Sequence, residues 1–284
     1  NNHAPWPELT DNIECDVCIV GAGFTGISSA LYLCEAGYDV VVLEAARVGW
    51  GASGRNGGQV VNSYSRDIDV IEERYGRQTA DMLGSMMFEG ANIIRQRIDQ
   101  YAIDCDYRPG CLFAALSTRQ LAKLRDQQKL WNRYGHTELT LLDENAVRRE
   151  IATDRYVGGL LDKNGGHIHP LNLVLGEAEA VRRHGGRIFE GSAVTRIDHG
   201  EPARVYTAKG QVKAKYVILA GNAYLSQQLA PRLTRLSMPC GSQIVATEPL
   251  SDDMALSLLP NNYCVEDCNY LLDYFRLTAD NRML

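Results

Sequence analysis

Three glycines and one carboxylate are the residues of this sequence whose types and spacing most directly predict chemistry. Gly21, Gly23 and Gly26 follow an apolar run at residues 17–20, and Glu44 ends a second apolar run. In a G-x-G-x-x-G arrangement the glycines permit a tight turn, a close approach of backbone amides to a pyrophosphate, and close packing of a helix on a strand. An acid about 20 residues further on can accept hydrogen bonds from ribose hydroxyls. The pattern therefore predicts a dinucleotide site for NAD or FAD.

These residues need a strand, a helix and a second strand to position them. The sequence predicts strands at 17–20 and 40–43 and a helix between them that ends at Gly37. The N-terminus of that helix would direct partial positive charge at phosphates. Glycines that only pack a helix in another α/β domain are the alternative. Residues 17–34 carry no charge, but their glycines, hydroxyl residues and dividing turn argue against a membrane span.

Composition limits the possible partners of the chain. Its 284 residues carry a formal net charge of −6, with 45% hydrophobic and 23% charged residues. No basic cluster with interleaved aromatic residues is present, so we expect no nucleic-acid partner. The N-terminal residues have neither the basic region nor the apolar core of a signal peptide, and we expect a cytoplasmic protein. The eight cysteines are scattered, so reduced thiols and no metal site are predicted.

The glycine-rich stretch 49–59 is predicted to be one long loop beside the bound nucleotide. Its own glycine pattern is not followed by an amphipathic helix, so it is not a second fingerprint. Ser53, Arg55, Asn56 and the amides near Gly57 and Gly58 could reach a pyrophosphate or the far end of a cofactor. A flexible surface loop is the alternative.

Hydrophobic periodicity predicts the later elements. Helices are expected at 68–101, broken near Gly76, at 118–134, at 143–151 and at 170–184. Residues 156–170 are expected to form a hairpin turning at 163–166, with His167 and His169 on one face and no third metal ligand apparent. The strand at 216–221 ends in Ala220 and Gly221, which would let the chain pass close under a cofactor.

A β-like pattern resumes at residue 238 and continues to the last residue. The chain stops inside the return strand of a predicted hairpin, which favours a chain that lacks a C-terminal part.

FAD is favoured over NAD because the fingerprint lies near the N-terminus and no second fingerprint exists for a pyridine nucleotide. The sequence resembles the FAD-dependent amine and amino-acid oxidases of the D-amino-acid oxidase type. The stretches that carry this resemblance are VGAGFTG (20–26), VVLEAARVGWGASGRNGGQ (41–59), GGHIHP (165–170) and YVILAGNAY (216–224).

The resemblance implies an α/β fold, with a Rossmann-like FAD-binding domain and an inserted β-rich substrate domain. The FAD-binding domain would comprise residues 13–85 and 166–225, and the substrate domain residues 86–165 and 226–284. The cofactor-binding residues expected from the fingerprint and the resemblance are Gly21, Ala22, Gly23, Phe24, Thr25, Gly26, Glu44, Ala45, Ser53, Arg55, Asn56, Gly57, Gly58, Gln59, Val194, Ala220 and Gly221.

Arg276 is the candidate catalytic residue. A cation there would favour a reduced-flavin anion or superoxide, or it would bind a substrate carboxylate. An ordinary surface arginine on a hairpin is the alternative, and Tyr270 and Tyr274 rank below it.

The reaction implied by the resemblance is oxidation of a small primary amine to an imine, which hydrolyses to an aldehyde and ammonia. Oxygen would be the second substrate and hydrogen peroxide a product. Stretches such as NSYSRDIDVIE and NYLLDYFRLTADNR narrow the likeness to a bacterial member acting on gamma-glutamylputrescine. Two alternatives remain open: a glycine- or sarcosine-type oxidase, and a non-catalytic fragment that binds nucleotide weakly or not at all.

Overall fold

A computed structural model describes residues 4–284 of the chain. In this part of the chain the helices are α1 (Phe24–Glu35), α2 (Ile68–Tyr75), α3 (Arg77–Tyr101), α4 (Thr118–Arg133), α5 (Glu144–Glu150), α6 (Pro170–Arg183), α7 (Pro231–Thr234) and α8 (Asp252–Leu258). The strands are β1 (Asn12–Val20), β2 (Val40–Leu43), β3 (Gln59–Val60), β4 (Arg108–Ala115), β5 (Leu139–Asp143), β6 (Gly158–His167), β7 (Arg187–Phe189), β8 (Arg196–Asp198), β9 (Ala203–Tyr206), β10 (Gln211–Leu219), β11 (Cys264–Asp267) and β12 (Tyr274–Phe275).

The chain divides into two compact units. The first comprises residues 1–56 and 170–243, and the second residues 57–169 and 244–284. These bounds differ from the predicted domain bounds chiefly at residues 57–85, which lie in the second unit. There β3 pairs with β6, and α2 packs on α3. The assignment of one unit to FAD and the other to substrate stays a prediction.

The first unit contains a six-stranded sheet in the order β7-β2-β1-β10-β9-β8. The four strands from β7 to β10 are parallel, and β9 and β8 continue the sheet antiparallel. All four residues of β2 are buried, as expected for a strand covered on both faces.

The register of this sheet brings three chain segments to one edge. Val20, the last residue of β1, lies beside Leu43 of β2 on one side and Leu219 of β10 on the other. The residues that follow these strands therefore meet at the carboxyl edge, where open parallel sheets bind ligands.

The second unit contains a sheet in the order β12-β11-β4-β6-β3, with β5 paired to β6. One hydrophobic cluster is built around Phe88, Trp131 and Leu160, and another around Leu112, Val147 and Leu161. Leu160 and Leu161 are consecutive residues of β6, so the alternation of a strand sends them to different clusters.

The predicted hairpin at 156–170 is wrong, because residues 158–167 form the single strand β6. Its residues at 163–166 have turn chemistry, but β6 has strand neighbours on both sides. A Cβ atom on Gly166 would overlap the backbone carbonyl of Arg108, and one on Gly165 would lie 2.9 Å from the carbonyl oxygen of Val60. A glycine inside a strand can mark a place where another backbone approaches closely. Gly165 and Gly166 are such positions, and they do not mark a turn.

The helical predictions are confirmed, including the break at Gly76, where φ is +81°. Asp143 caps α5 by accepting the N–H of Ala146 at 2.7 Å. The β-like prediction from residue 238 is only partly right: no strand occurs at 238–248, and strands appear at β11 and β12. Within residues 4–284 no helix combines the length and apolarity needed to cross a bilayer.

Candidate functional site

A cavity of about 800 Å³ lies at the carboxyl edge of the first unit's sheet. Many of the residues predicted from sequence to bind the cofactor line it: Gly21, Gly23, Phe24, Thr25, Glu44, Ala45, Ser53, Val194, Ala220 and Gly221. They come from the ends of β1, β2 and β10, from the start of α1, from the loop after Glu44 and, for Val194, from the segment between β7 and β8. The tertiary structure therefore brings these separate segments to one place.

Two of the fingerprint glycines are required by close backbone approaches. Gly21 has a φ of +107°, and a Cβ atom on it would lie 2.6 Å from the carbonyl oxygen of Ala220. A Cβ atom on Gly26 would overlap the carbonyl oxygen of Gly21. Gly26 is buried and does not line the cavity. Its role is to let α1 start directly above β1, as the fingerprint predicts.

The start of α1 faces the cavity without an acidic side chain. Gly23 is the N-cap residue, and the first turn contains neither Asp nor Glu. The N–H of Phe24 donates to Oγ of Ser53 at 2.9 Å. Since a helix N-terminus carries partial positive charge and unpaired amides, this end of the cavity suits phosphate groups.

The carboxylate of Glu44 is fixed by two backbone amides. Its Oε2 accepts the N–H of Ala22 at 2.8 Å, and its Oε1 accepts the N–H of Ala46 at 2.9 Å. Ala22 is fully buried and does not line the cavity, and its amide contributes by holding Glu44. A carboxylate offers about four lone-pair sites, so Glu44 retains acceptor capacity for ribose hydroxyls.

Arg55 and Asn56 lie outside the lining of this cavity. Arg55 lines a second cleft of about 280 Å³, and its guanidinium stacks on the ring of Trp50 at 4.3 Å from the centroid. The side-chain amide of Asn56 donates to the carbonyls of Ala52 and Ser53, at 3.0 and 2.9 Å. In the structure these two side chains shape the loop that carries Ser53.

Gly57, Gly58 and Gln59 belong to the second unit. The carbonyl of Gly57 accepts a hydrogen bond from Nε of Arg276, and that of Gly58 accepts the N–H of Ile168 at 2.8 Å. Gln59 begins β3, and its side-chain amide donates to the carbonyl of Val265 at 3.2 Å. Their contact with a cofactor stays a prediction.

Arg276 is buried, with 4% of its surface exposed, so the surface-arginine alternative is wrong. Besides Gly57, its guanidinium donates to the carbonyl of Leu277 at 3.0 Å and to Nδ1 of His167 at 3.4 Å. Burial lowers the pKa of Arg276 below its ordinary value. Tyr270, ranked below it from sequence, is fully exposed.

His167 is a buried neutral imidazole. Its Nε2 lies 2.9 Å from the carbonyl oxygen of Asn262, so Nε2 carries the proton and Nδ1 accepts from Arg276. Burial lowers the pKa of His167 to about 4. His169, predicted to share its face, donates its backbone N–H to the carbonyl of Cys105. Across residues 4–284 no cluster of three or more His, Cys, Asp or Glu side chains is arranged to hold a metal ion.

Sequence reasoning missed the aromatic part of the cavity lining. Trp50 and Tyr224 both line it, together with Gly51, Ala52, Leu225, Ser226 and Leu229. Trp50 stands inside the glycine-rich loop and Tyr224 follows the strand at 216–221, so both lie in segments that sequence had already placed near the nucleotide. An aromatic residue in or next to each of these segments was the sequence signal that could have indicated an aromatic cavity wall.

The chain belongs to the family described as DAO, FAD dependent oxidoreductase, because residues 16–284 match its sequence profile. The family assignment also makes FAD the cofactor, as expected from the sequence.

Curated relatives support the assignment over the whole chain. The chain is 67% identical over 284 residues to gamma-glutamylputrescine oxidoreductase of Escherichia coli strain K12, covering 100% of this chain and 67% of that protein. It is 43% identical over 289 residues to the probable oxidoreductase OrdL of Haemophilus influenzae, again covering 100% of this chain and 67% of the relative. The chain thus spans about two thirds of the length of these relatives.

Solved structures share the fold at low sequence identity. L-proline dehydrogenase from P. horikoshii has a TM-score of 0.73 at 16% identity, covering 99% of this chain and 69% of that one. Glycine oxidase from Geobacillus kaustophilus has a TM-score of 0.67 at 19% identity, covering 95% and 70% respectively. The predicted class, a Rossmann-like α/β FAD-binding fold with a β-rich second part, is confirmed.

Proposed function

We propose that the chain binds FAD in the cavity of its first unit and takes part in the oxidation of a primary amine, gamma-glutamylputrescine. The observation that carries this proposal is the meeting of three features at one sheet edge: the glycine turn at Gly21, the start of α1 with no acidic residue in its first turn, and the carboxylate of Glu44. The 67% identity to gamma-glutamylputrescine oxidoreductase supports the substrate.

The residues present fit the cofactor. A Cβ atom at Gly21 would lie 2.6 Å from the carbonyl oxygen of Ala220, so glycine lets the turn after β1 lie directly against the end of β10 in the cavity lining. The cavity volume of about 800 Å³ lies within the range of roughly 300–1,000 Å³ found for cofactor and ligand pockets. The helix start would hold the pyrophosphate, Glu44 the adenosine ribose, and Val194 the adenine edge through its backbone.

FAD supplies the acceptor for the two electrons removed from the carbon–nitrogen bond of the amine. The amine loses two electrons and two protons to become an imine, which adds water and releases ammonia and an aldehyde. The described residues of the first unit bind and orient the nucleotide, and the chemistry needs no metal ligand from them. Oxygen as the electron acceptor, with hydrogen peroxide as the product, is part of the proposal.

The test begins with the cofactor. The purified 284-residue chain is expected to retain or take up FAD, seen as flavin absorbance, and Glu44→Lys is expected to lose it. A Glu35→Lys variant, changed at the other end of α1, is the matched control and should bind FAD as the unaltered chain does. Equal FAD retention by the Glu44→Lys variant would refute the role given to that carboxylate.

The second experiment decides the substrate. Peroxide release is measured with gamma-glutamylputrescine, putrescine, glycine and sarcosine, each at the same concentration. Turnover of gamma-glutamylputrescine alone supports the proposal, and turnover of glycine or sarcosine favours the amino-acid oxidase alternative. FAD binding without turnover of any amine would leave the chain a nucleotide-binding protein and contradict the proposed reaction.

A further inference from the structure

Two exposed aromatic rings meet in the wall of the nucleotide cavity. The rings of Trp50 and Tyr224 lie edge to face, with centroids 5.8 Å apart and planes at 65°. Trp50 is 46% exposed and Tyr224 62% exposed. Large aromatic side chains that pair with each other yet stay open to a cavity offer apolar contact area to a ligand.

Neighbouring residues of the glycine-rich loop contact both rings. The guanidinium of Arg55 stacks on the ring of Trp50, and the backbone N–H of Trp50 donates to the carbonyl of Arg47 at 2.9 Å. The ring of Tyr224 lies against Gly51, where a Cβ atom would come within 3.0 Å of Cε2. Trp50 lines both the large cavity and the 280 Å³ cleft that contains Arg55. Trp50 therefore borders both spaces.

The sheet order places Tyr224 on the other side of β1 from Glu44, and the ring of Trp50 contacts Tyr224 there. Glu44 follows β2 and Tyr224 follows β10, and these strands lie on opposite sides of β1. A dinucleotide with its adenosine ribose at Glu44 has its pyrophosphate over the end of β1 and the start of α1. The remainder of the molecule must then extend toward β10, where Trp50 and Tyr224 line the cavity.

We propose that Trp50 and Tyr224 hold the part of the dinucleotide beyond the pyrophosphate, by apolar and ring contact. This inference rests on the proposed binding of FAD and adds two positioning residues to it. Its consequence is a difference between two probes: FAD contains the part that the aromatic pair holds, whereas ADP ends before it. Removing either ring should weaken the binding of FAD and leave that of ADP unchanged.

The test measures the Kd of FAD and of ADP by calorimetry for the unaltered chain and for five variants. Trp50→Ala and Tyr224→Ala are each expected to weaken FAD binding about tenfold, with ADP binding unchanged within about twofold. Trp50→Phe and Tyr224→Phe keep a ring and should bind FAD nearly as the unaltered chain does. Tyr216→Ala is the matched control, because Tyr216 is 66% exposed on β10 but does not line the cavity.

A second readout does not require the alanine variants to fold. FAD bound beside Trp50 should quench its emission by energy transfer, whereas ADP should not. The FAD-induced loss of tryptophan emission should therefore be smaller in Trp50→Phe than in the unaltered chain, with Trp6 and Trp131 as the remaining emitters. Equal fractional quenching in both proteins would overturn the proposal.

The other outcomes are also decisive. Equal losses of FAD and ADP affinity would show that the aromatic pair only maintains the loop, and unchanged affinities would show that it is not used; both overturn the inference. If the unaltered chain binds neither FAD nor ADP, the proposed cofactor site fails and this inference fails with it. Binding of ADP but not FAD by the unaltered chain would contradict the aromatic contact while leaving the adenosine site intact.

Discussion

The guanidinium of Arg276 donates through Nη1 to Nδ1 of His167, 3.4 Å away, and both side chains are buried. The pair consists of a cation and a neutral imidazole, since Nε2 of His167 is the donor to the carbonyl of Asn262. A proton on Nδ1 would face the guanidinium directly. Arg276 also holds the carbonyl of Gly57, so the pair joins the start of the segment at 57–59 to β6 and to the strand region near residue 276.

The first prediction concerns pH. Burial lowers the pKa of His167 to about 4, whereas the unfolded chain protonates this side chain near its ordinary value of about 6.5. Between these values the unfolded state binds the extra proton, so stability is lost as the pH falls. The free energy of unfolding should drop by about 2 kcal/mol between pH 7 and pH 5 from this group. Urea titrations at both pH values measure it.

The control for this effect is His167→Gln, whose side chain can still donate to Asn262 but does not titrate. Its pH dependence should be shallower than that of the unaltered chain by the same amount. His199→Gln, at an exposed position, should keep the original slope. Identical slopes in the unaltered chain and in His167→Gln would contradict the prediction.

The second prediction concerns the acceptor capacity of Glu44. In Glu44→Gln the side-chain NH₂ would face the N–H of Ala22 or of Ala46, leaving one of these donors without an acceptor. The loss of that hydrogen bond and of a ribose acceptor should weaken FAD and ADP binding about tenfold or more. Calorimetry with both ligands checks this. Glu35→Gln should bind both normally, and unchanged binding in Glu44→Gln would count against the assigned role.

The third prediction separates backbone strain from steric overlap at a glycine. Gly37 has a φ of +84° and open space where a Cβ atom would lie, whereas Gly21 has a φ of +107° and the carbonyl oxygen of Ala220 at 2.6 Å. Gly37→Ala should cost about 1–2 kcal/mol through strain alone. Gly21→Ala should cost at least about 2 kcal/mol more and abolish nucleotide binding. Equal losses of stability, measured by urea unfolding, would refute the close approach to Ala220.

The fourth prediction concerns a buried carboxylate in the second unit. Asp162 accepts hydrogen bonds from His136 at 2.9 Å, from the side chain of Asn62 at 2.8 Å and from the N–H of Asn164 at 2.9 Å. Burial would raise its pKa, but these donors outweigh burial and hold the pKa below its ordinary value. The three donors need the acceptor capacity of a carboxylate.

Asp162→Asn should therefore lower the free energy of unfolding by about 3 kcal/mol, because one acceptor becomes a donor among buried donors. Asp126→Asn is the matched control, since Asp126 forms an exposed ion pair with Lys129. That change should stay within about 0.5 kcal/mol. A similar small effect in both variants, measured by urea unfolding, would show that the buried network contributes little.

The sequence by itself determined the local features that meet at the sheet edge, a glycine turn, a helix start and a carboxylate, whose binding of a nucleotide stays a prediction. The positions of Gly21, Gly26 and Glu44 in the fold were predictable from their order and spacing in the sequence. A turn, a helix start and a strand end each form from contiguous residues. The helix break at Gly76 and the cap at Asp143 were predictable for the same reason. The likeness of whole segments to a family added the cofactor and the class of fold.

Only the tertiary structure decided the features that depend on distant partners. Residues 163–166 have turn chemistry, yet they continue β6, which at Gly166 pairs with β3 on one side and β4 on the other. The burial of Arg276 and its hydrogen bonds depend on Gly57 and His167, which lie far from it in the sequence. Trp50 and Tyr224 became one aromatic wall because β10 ends beside the loop that follows β2. Local propensity fixes which elements form, whereas the burial and contacts of a side chain depend on segments far apart in the chain.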